Sequence, residues 1–283
     1  MNPAFIEPML ASPMPTNLEI VPNRFVVNEK YDGHRLIVRV GGGGIQNDLF
    51  MTGSPVRAWS RDGLSRVLPR HIIESLSQFP VCVLDGELLV PGKRSYGVTE
   101  LSNAANLKFV AFDIVEMLGQ TTCDVAYTHR RAFLEEIFNH PTIHGLQGIG
   151  LAWSKPVENF EEIREACKEV WDRDGEGLIL KDKGSLYYPG KRPKNVWIKI
   201  KQLKSAVLTI TGYEYGLLGP YAKVKLVDED GNGIAVKVRN TELRNKITAN
   251  PNSFLGRKLR IEYQERTPDS SYRHPRWDRL EDE

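Results

Sequence analysis

Six short segments of this chain carry residue types that handle phosphate, and they follow one another in a fixed order. They are residues 29–35, 84–88, 109–113, 176–181, 197–201 and 273–279. A lysine amine is nucleophilic only when it is unprotonated, and neighbouring cations or a divalent metal ion favour that form. Lys30, with Lys199 and Lys201 further along, therefore predicts an amine that attacks the α-phosphorus of a nucleoside triphosphate and releases pyrophosphate.

Acidic residues interrupt two of the apolar runs in the chain. Glu87 lies between the apolar residues 81–84 and 88–90, and Asp113 lies within the run 109–117. A polar group in a buried strand needs a partner or water. Glu87 is therefore a better candidate for ligand contact than a surface glutamate, and Asp113 is placed in the same way.

Hydrophobic periodicity predicts the elements that position these segments. Strands are expected on both sides of Lys30, which puts this lysine at a strand end or a tight turn. The expected strands are 24–27, 35–40, 81–90, 109–117, 178–180 and 196–201, and the expected helices are 69–79, 128–139 and 159–172.

Near Leu203 the pattern changes to short alternating strands. They are expected at 206–215, 221–228, 234–239 and 258–265, with a helix at 241–248. Strands with one inserted helix suit a small barrel of the oligonucleotide-binding type. A chain of 283 residues suggests two domains. We therefore predict a first domain of residues 1–203 and a second of residues 204–283.

Composition narrows the class of protein. Hydrophobic residues make up 41% and charged residues 26%, as in ordinary globular proteins. We find no membrane-length apolar run, no signal peptide and no zinc-ligand spacing, so we expect a cytoplasmic protein with reduced cysteines. The net charge of +2 is too small to indicate a nucleic-acid partner by itself. Basic clusters at 191–204 and 257–279 could bind phosphate or could be solvated surface.

At these motifs the chain resembles the ATP-dependent DNA ligases. This family belongs, with RNA ligases and mRNA capping guanylyltransferases, to the covalent nucleotidyltransferases. The matching motifs are Lys30-Tyr31-Asp32-Gly33-His34-Arg35, Ser60-Arg61, Glu87, Phe112-Asp113, Glu176-Gly177 and Lys199-Ile200-Lys201, and Pro8-Met9-Leu10-Ala11 resembles a ligase segment upstream of the nucleophile. The resemblance implies an α+β fold, in which a nucleotidyltransferase (ATP-grasp-like ligase) domain with antiparallel sheets and flanking helices precedes a small OB-fold β-barrel.

The resemblance also implies roles around the nucleotide. Lys30 would be the adenylylated nucleophile, and Arg35 would hold ribose or the nick phosphate. Glu87 would accept a hydrogen bond from a ribose hydroxyl, and Phe112 would stack on adenine, although an aromatic residue in a strand can equally be core. Glu29, beside the nucleophile, is a further candidate for nucleotide contact.

Other implied roles concern metal and phosphate. Glu176, with Asp32, would position Mg²⁺ through oxygen ligands. Lys199 and Lys201 alternate along a strand, so both would point to one face and grip the α-phosphate. Three cations would contact DNA. Arg61 would bind the 5′-phosphate of the nick, or else belong to a surface turn. Lys191 and Arg192 would bind phosphate in a loop where Tyr187 and Tyr188 could stack on bases, or this loop is simply part of the surface.

Two positions depart from the family pattern. Many relatives place a glutamate two residues before the nucleophile, where this chain has Asn28. The last motif often reads Arg-x-Asp-Lys. Here it is either Arg276-Trp277-Asp278-Arg279, with arginine for lysine, or its usual arginine falls on Glu281. Arg276 and Arg279 are the candidates for orienting pyrophosphate.

The sequence thus predicts a minimal two-domain DNA ligase of the viral or bacterial type. It would use ATP and Mg²⁺, act on nicked duplex DNA, and be a monomer. An RNA ligase or a capping guanylyltransferase of the same superfamily is the first alternative. A non-catalytic nucleic-acid-binding protein that uses only its barrel is the second.

Overall fold

The computed structural model describes residues 5–15, 18–41, 56–216, 219–264, 266–267 and 270–281. The chain divides into two compact units, Met1–Ile200 and Lys201–Glu283. None of the helices in these described ranges is long and apolar enough to cross a membrane.

The described strands are, in chain order, β1 (Ser12–Pro13), β2 (Phe25–Lys30), β3 (His34–Val40), β4 (Val56–Ser60), β5 (Ser65–Arg66), β6 (Cys82–Leu89), β7 (Lys108–Met117), β8 (Gln120–Thr121), β9 (Ile149–Leu151), β10 (Ser154–Val157), β11 (Gly177–Asp182), β12 (Trp197–Lys201), β13 (Lys204–Gly216), β14 (Gly219–Val227), β15 (Gly233–Lys237), β16 (Lys258–Tyr263) and β17 (Arg276–Leu280). The described α-helices are α1 (Arg70–Leu76), α2 (Tyr127–Phe138), α3 (Phe160–Asp172) and α4 (Thr241–Ala249). Short 3-10 helices span Ser95–Thr99, Leu101–Asn106 and Pro251–Ser253.

Two sheets build the first unit. Sheet 1 has the order β1-β12-β11-β2-β10, and sheet 2 has the order β5-β4-β3-β6-β7-β8 with β9 beside β7. Most strand pairings within them are antiparallel, whereas β1 with β12 and β7 with β9 are parallel. The result is the mixed α+β fold with mainly antiparallel sheets that the sequence predicted.

Three apolar clusters hold these layers together. One packs α1 and α2 against the outer face of sheet 2, and another packs α3 against the outer face of sheet 1. The third lies between the sheets and contains Ile37 and Val83 from sheet 2 and Trp197 from sheet 1. The two sheets therefore pack face to face, with helices outside them.

Two glycines of the sequence motifs lie where the chain approaches another strand closely. A Cβ on Gly33 would lie 2.2 Å from the carbonyl oxygen of Leu88, and one on Gly86 would lie 2.4 Å from the ring of Phe109. Both distances are shorter than any tolerable contact. These glycines let β3, β6 and β7 meet where the motif residues lie.

The second unit is a five-stranded antiparallel sheet in its described part. Its order is β15-β14-β13-β16-β17, and α4 connects the third strand of the unit to the fourth. The two end strands, β15 and β17, contact each other around a core that includes Leu208, Val224 and Ile261. A five-stranded, partly open barrel with this inserted helix is an OB-fold, as the sequence predicted.

Candidate active site

The inner faces of the two sheets bring together most of the predicted residues of the first unit. Side chains alternate along a strand, and Val27, Leu178 and Ile198 belong to the cluster against α3. The opposite, inner face of sheet 1 therefore carries Asn28, Lys30, Ile179, Lys181, Trp197 and Lys199. The inner face of sheet 2 carries Arg35, Asp85, Glu87 and Phe112.

Lys30 lies at the end of β2, opposite Gly177 at the start of β11. Its amine is paired with the carboxylate of Glu176, the residue that precedes β11. The side chains of Lys30 and Glu176 are 23% and 11% exposed. The amine therefore stays partly exposed while a carboxylate holds it in place.

The turn that presents Glu176 is fixed from two sides. Arg173 donates to Glu29, the neighbour of Lys30, at 2.6 Å, and Arg94 donates to Asp174 at 3.0 Å. Glu29 was predicted to contact nucleotide. Its carboxylate lies on Arg173, so its side chain ties the Lys30 strand to the Glu176 turn.

Arg35 forms a buried ion pair with Asp85. Its Nε and Nη2 donate to the two carboxylate oxygens at 2.8 and 2.5 Å, and the Asp85 side chain is fully buried. Burial alone would lower the pKa of Arg35, but Asp85 outweighs it and the pKa is raised. The hydroxyl of Tyr187 also donates to Asp85 at 2.7 Å. Arg35 is thus a fixed cation on the inner face of sheet 2.

Glu87 lies two residues beyond Asp85 on the same face of β6. Burial raises the pKa of Glu87 to about 8, although the charges of Arg35 and Lys30 oppose that rise. A carboxyl group of this kind is neutral or readily protonated near neutral pH, and it can hydrogen-bond to a hydroxyl.

Phe112 lies on the inner side of β7, where the ladder with β6 is irregular. The guanidinium of Arg35 lies 5.1 Å from its ring centroid, and the amine of Lys181 lies 5.0 Å away. The ring also packs edge-on against Trp197, with centroids 6.1 Å apart. Phe112 is partly buried, so its predicted role in base stacking remains a prediction.

Asp113 has an internal partner rather than a ligand contact. It forms a fully buried, two-point ion pair with Arg130 of α2, at 2.7 and 3.0 Å. Arg130 also donates to the carbonyl oxygen of Ser185 at 3.0 Å. This pair anchors α2 and the segment after β11 to the strand that carries Phe112.

The predicted metal ligands supply only oxygen atoms. The described residues contain no group of three or more histidine, cysteine or acidic side chains that could hold a metal ion by themselves. Mg²⁺ commonly binds through one or two carboxylates together with substrate phosphates and water. Glu176 and Asp32 fit that mode, in which the nucleotide completes the coordination.

Lys199 and Lys201 both belong to β12 and alternate with Ile198 and Ile200, which face α3. The two lysines therefore share the inner side of the strand, as predicted. Both are partly exposed.

The predicted DNA-binding cations of the first unit lie at the surface. Arg61 is exposed in the turn after β4, and Lys191 and Arg192 are exposed in a loop whose backbone is bonded to the N-terminal segment. Tyr187 is not placed for the predicted stacking role at a nick, because it is buried. Its hydroxyl donates to Asp85 and accepts from the backbone N–H of Met9.

In the second unit, Arg276 and Arg279 lie on β17. Arg276 is opposite Glu262, and Arg279 is opposite Arg260. Both are exposed, and Arg279 is 3.5 Å from Asp278. Their role in orienting pyrophosphate remains a prediction.

No role was assigned from the sequence to three charged residues of the interior: Asp85, Lys181 and Arg130. Asp85 and Lys181 lie within the motif segments, and each is a charge inside an apolar strand, which is a readable signal of an internal partner or a function. Arg130 lies in an ordinary amphipathic helix pattern, where nothing distinguishes it from a surface arginine.

The first unit thus places a lysine–glutamate pair between two facing sheets, and an OB-fold unit follows it. Residues 8–201 match the family model described as the ATP dependent DNA ligase domain. This match covers more than half of the chain, and the chain belongs to that family.

Curated relatives are longer than this chain. The DNA ligase of Methanothrix thermoacetophila is 29% identical over 230 residues, which cover 72% of this chain and 38% of that protein. The bifunctional non-homologous end joining protein LigD of Bacillus subtilis is 26% identical over 228 residues, which cover 74% of this chain and 35% of that protein. The chain thus spans little more than a third of the length of these two relatives.

Solved structures share the fold over nearly the whole chain. A structure of Lig E DNA ligases, described as DNA binding with a minimal scaffold, has a TM-score of 0.68 at 18% identity and covers 96% of this chain and 98% of its own. The Chlorella virus DNA ligase-adenylate has a TM-score of 0.53 at 19% identity and covers 99% of each chain. At these identities the likeness concerns the fold.

Proposed function

We propose that this protein is an ATP-dependent DNA ligase that seals nicks between a 3′-hydroxyl and a 5′-phosphate in duplex DNA. The observation that carries the proposal is the partly exposed Lys30 amine, which is paired with Glu176 and lies near the charges of Arg35 and Glu87. The family to which the chain belongs uses ATP, and its relatives carry the name DNA ligase.

The first step would load the enzyme. The unprotonated Lys30 nitrogen attacks the α-phosphorus of ATP, the bond to the β-phosphate oxygen breaks, and pyrophosphate leaves. Lys199 and Lys201 supply positive charge for the α-phosphate. Glu87 accepts a hydrogen bond from a ribose hydroxyl, and Phe112 stacks on the adenine base.

The next two steps would use the stored adenylate. The 5′-phosphate of the nick attacks the lysyl phosphoramidate, so AMP moves to the DNA and Lys30 regains its amine. The 3′-hydroxyl then attacks the activated 5′-phosphorus, and AMP leaves as the new phosphodiester forms. Arg61, Lys191 and Arg192 are proposed to bind the DNA phosphates.

Mg²⁺ would be held by Glu176 and Asp32 together with the nucleotide phosphates. When bound, it would offset the negative charge that develops on the phosphate oxygens. We further propose that the protein acts as a monomer.

A substrate comparison tests the proposal. The purified protein is incubated with ATP or GTP and with a nicked duplex whose strands are DNA or RNA. We expect sealing of the DNA nick with ATP. Efficient sealing only of RNA, or transfer of guanylate only, would instead support the related RNA ligase or guanylyltransferase. DNA binding without any sealing would support the non-catalytic alternative.

A further inference from the structure

Lys181 is a buried cation to which the steps proposed above give no task. Its side chain is 1% exposed, and it forms no ion pair within the described residues. Its Nζ lies 4.2 Å from the ring centroid of Trp197, 4.5 Å from that of Tyr127 and 5.0 Å from that of Phe112. Three aromatic rings therefore take the place of the water that a lysine normally keeps.

This burial is costly for an ammonium group. It lowers the pKa of Lys181 to about 7, although the negative charges of Asp113 and Asp85 oppose the change. An unbranched apolar side chain of similar length would fill the same space without that cost. The specific contribution of the amine is its hydrogen bond, because Nζ donates to the carbonyl oxygen of Phe112 at 2.9 Å.

Phe112 lies at a point where strand pairing does not fix its position. The ladder pairs Asp113 with Asp85 and Ala111 with Gly86, so Phe112 is the extra residue between two consecutive pairs. An extra residue of this kind forms a β-bulge, which bends the strand and re-aims a side chain. The Lys181 amine bonds to the carbonyl of this bulged residue and also contacts its ring.

We propose, building on the nucleotide-binding role proposed above, that Lys181 is a positioning residue that holds the Phe112 bulge and aims the Phe112 ring into the nucleotide pocket. Its loss would weaken the binding of ATP and leave the bond-making step at Lys30 nearly unchanged.

The main test is Lys181→Met, which keeps an unbranched side chain, one heavy atom shorter, but has no side-chain N–H. In assays of Lys30 adenylylation we expect the KM for ATP to rise about tenfold and kcat at saturating ATP to stay within about twofold. The matched control is Lys183→Met, a partly exposed lysine just after the same strand, which should leave KM unchanged. Lys181→Arg, which keeps an N–H donor, should restore KM to within about threefold of the parent.

A double-mutant cycle connects the effect to Phe112. Phe112→Leu should raise KM by a similar factor, and the double variant should be no worse than either single variant, because both remove the same contact. Additive effects, or an unchanged KM with a smaller active fraction in Lys181→Met, would show that Lys181 only fills the core and would overturn the proposal.

The parent protein provides a measurement that needs no folded variant. With ¹⁵N at the lysine ζ positions, we expect the Lys181 resonance to shift when α,β-methylene-ATP is added. An unchanged resonance at saturation would overturn the proposal. Failure of the parent to form any lysyl-AMP is a different outcome, because it would defeat the proposed ligase function itself.

Discussion

At the scale of single residues, the candidate site combines partly exposed charges with charges that are fully paired inside the protein. Lys30 and Glu176 remain partly exposed, whereas Asp85 accepts from both Arg35 and Tyr187 in the interior. A buried pair contributes little net stability compared with apolar residues, but removing one member leaves the other charge uncompensated. Asp85 is therefore expected to be far more sensitive to substitution than a surface acid.

Asp85→Ala tests this expectation. It leaves the Arg35 guanidinium unpaired in the interior, and we expect the free energy of unfolding to fall by about 3–5 kcal/mol. Urea denaturation measures it. The matched control is Asp172→Ala, which removes one side of the exposed Lys168–Asp172 pair and should change stability little. Equal effects of the two substitutions would contradict the assignment of Asp85.

Glu87→Gln tests the pH dependence of stability. The pKa of Glu87 is about 8 in the folded protein and near its ordinary value of 4.5 in the unfolded chain. Between these values the folded state binds the extra proton, so the parent loses stability as pH rises from about 5 to 8. The glutamine variant lacks this titrating group, so its free energy of unfolding should rise relative to that of the parent by up to about 1.4 kcal/mol for each pH unit. Urea denaturation of both proteins across this pH range measures the difference. A difference in stability that does not change with pH would contradict the raised pKa of Glu87.

At the scale of elements, strand ends and one helix place the reactive groups. Lys30 ends β2 and Glu176 precedes β11, while α3 leads into the turn that carries Glu176. The side chain of Asn159 caps α3 by accepting from the backbone N–H of Glu162 at 2.9 Å. Because this cap satisfies an otherwise unpaired donor, it also stabilises the approach to the site.

Asn159→Ala removes the acceptor and should lower the free energy of unfolding by about 1 kcal/mol. Asn159→Asp keeps an acceptor at the same position and should be close to the parent. Thermal and urea unfolding of the three proteins provide the comparison. A loss of equal size in the aspartate variant would show that the cap bond is not what Asn159 contributes.

Periodicity predicted α2, α3 and the strands around Lys30 well, because their apolar residues repeat at the helix or strand period. It missed β17, where Arg276, Asp278 and Arg279 alternate too weakly to indicate a strand. It also missed the pairing of Asp113 with Arg130 and the cage around Lys181. Those contacts join residues that are far apart in the sequence, so a local sequence pattern cannot predict them.

At the scale of the whole molecule, the chain has two units with separate cores. In the proposed function, both units would act on the same DNA substrate. The net charge is only +2, so DNA would be held through local phosphate contacts rather than through overall charge. Such contacts release counterions and weaken steeply as salt concentration increases.

Salt should therefore separate two activities of the protein. We expect the rate of sealing at limiting DNA to fall steeply between low and moderate salt. Lys30 adenylylation needs no DNA and should change much less over the same range. Parallel assays with the same enzyme preparation test this, and an equal loss of both activities would place the salt effect in the nucleotide site.

The most direct test of the account is whether Lys30 becomes covalently joined to a nucleotide. The parent protein and Lys30→Arg are incubated with ATP and Mg²⁺, and their peptides are analysed by mass spectrometry. We expect one added AMP on the peptide that contains Lys30 in the parent and none in the variant. An unmodified parent, or an adduct formed equally in Lys30→Arg, would contradict the assignment of Lys30 as the nucleophile.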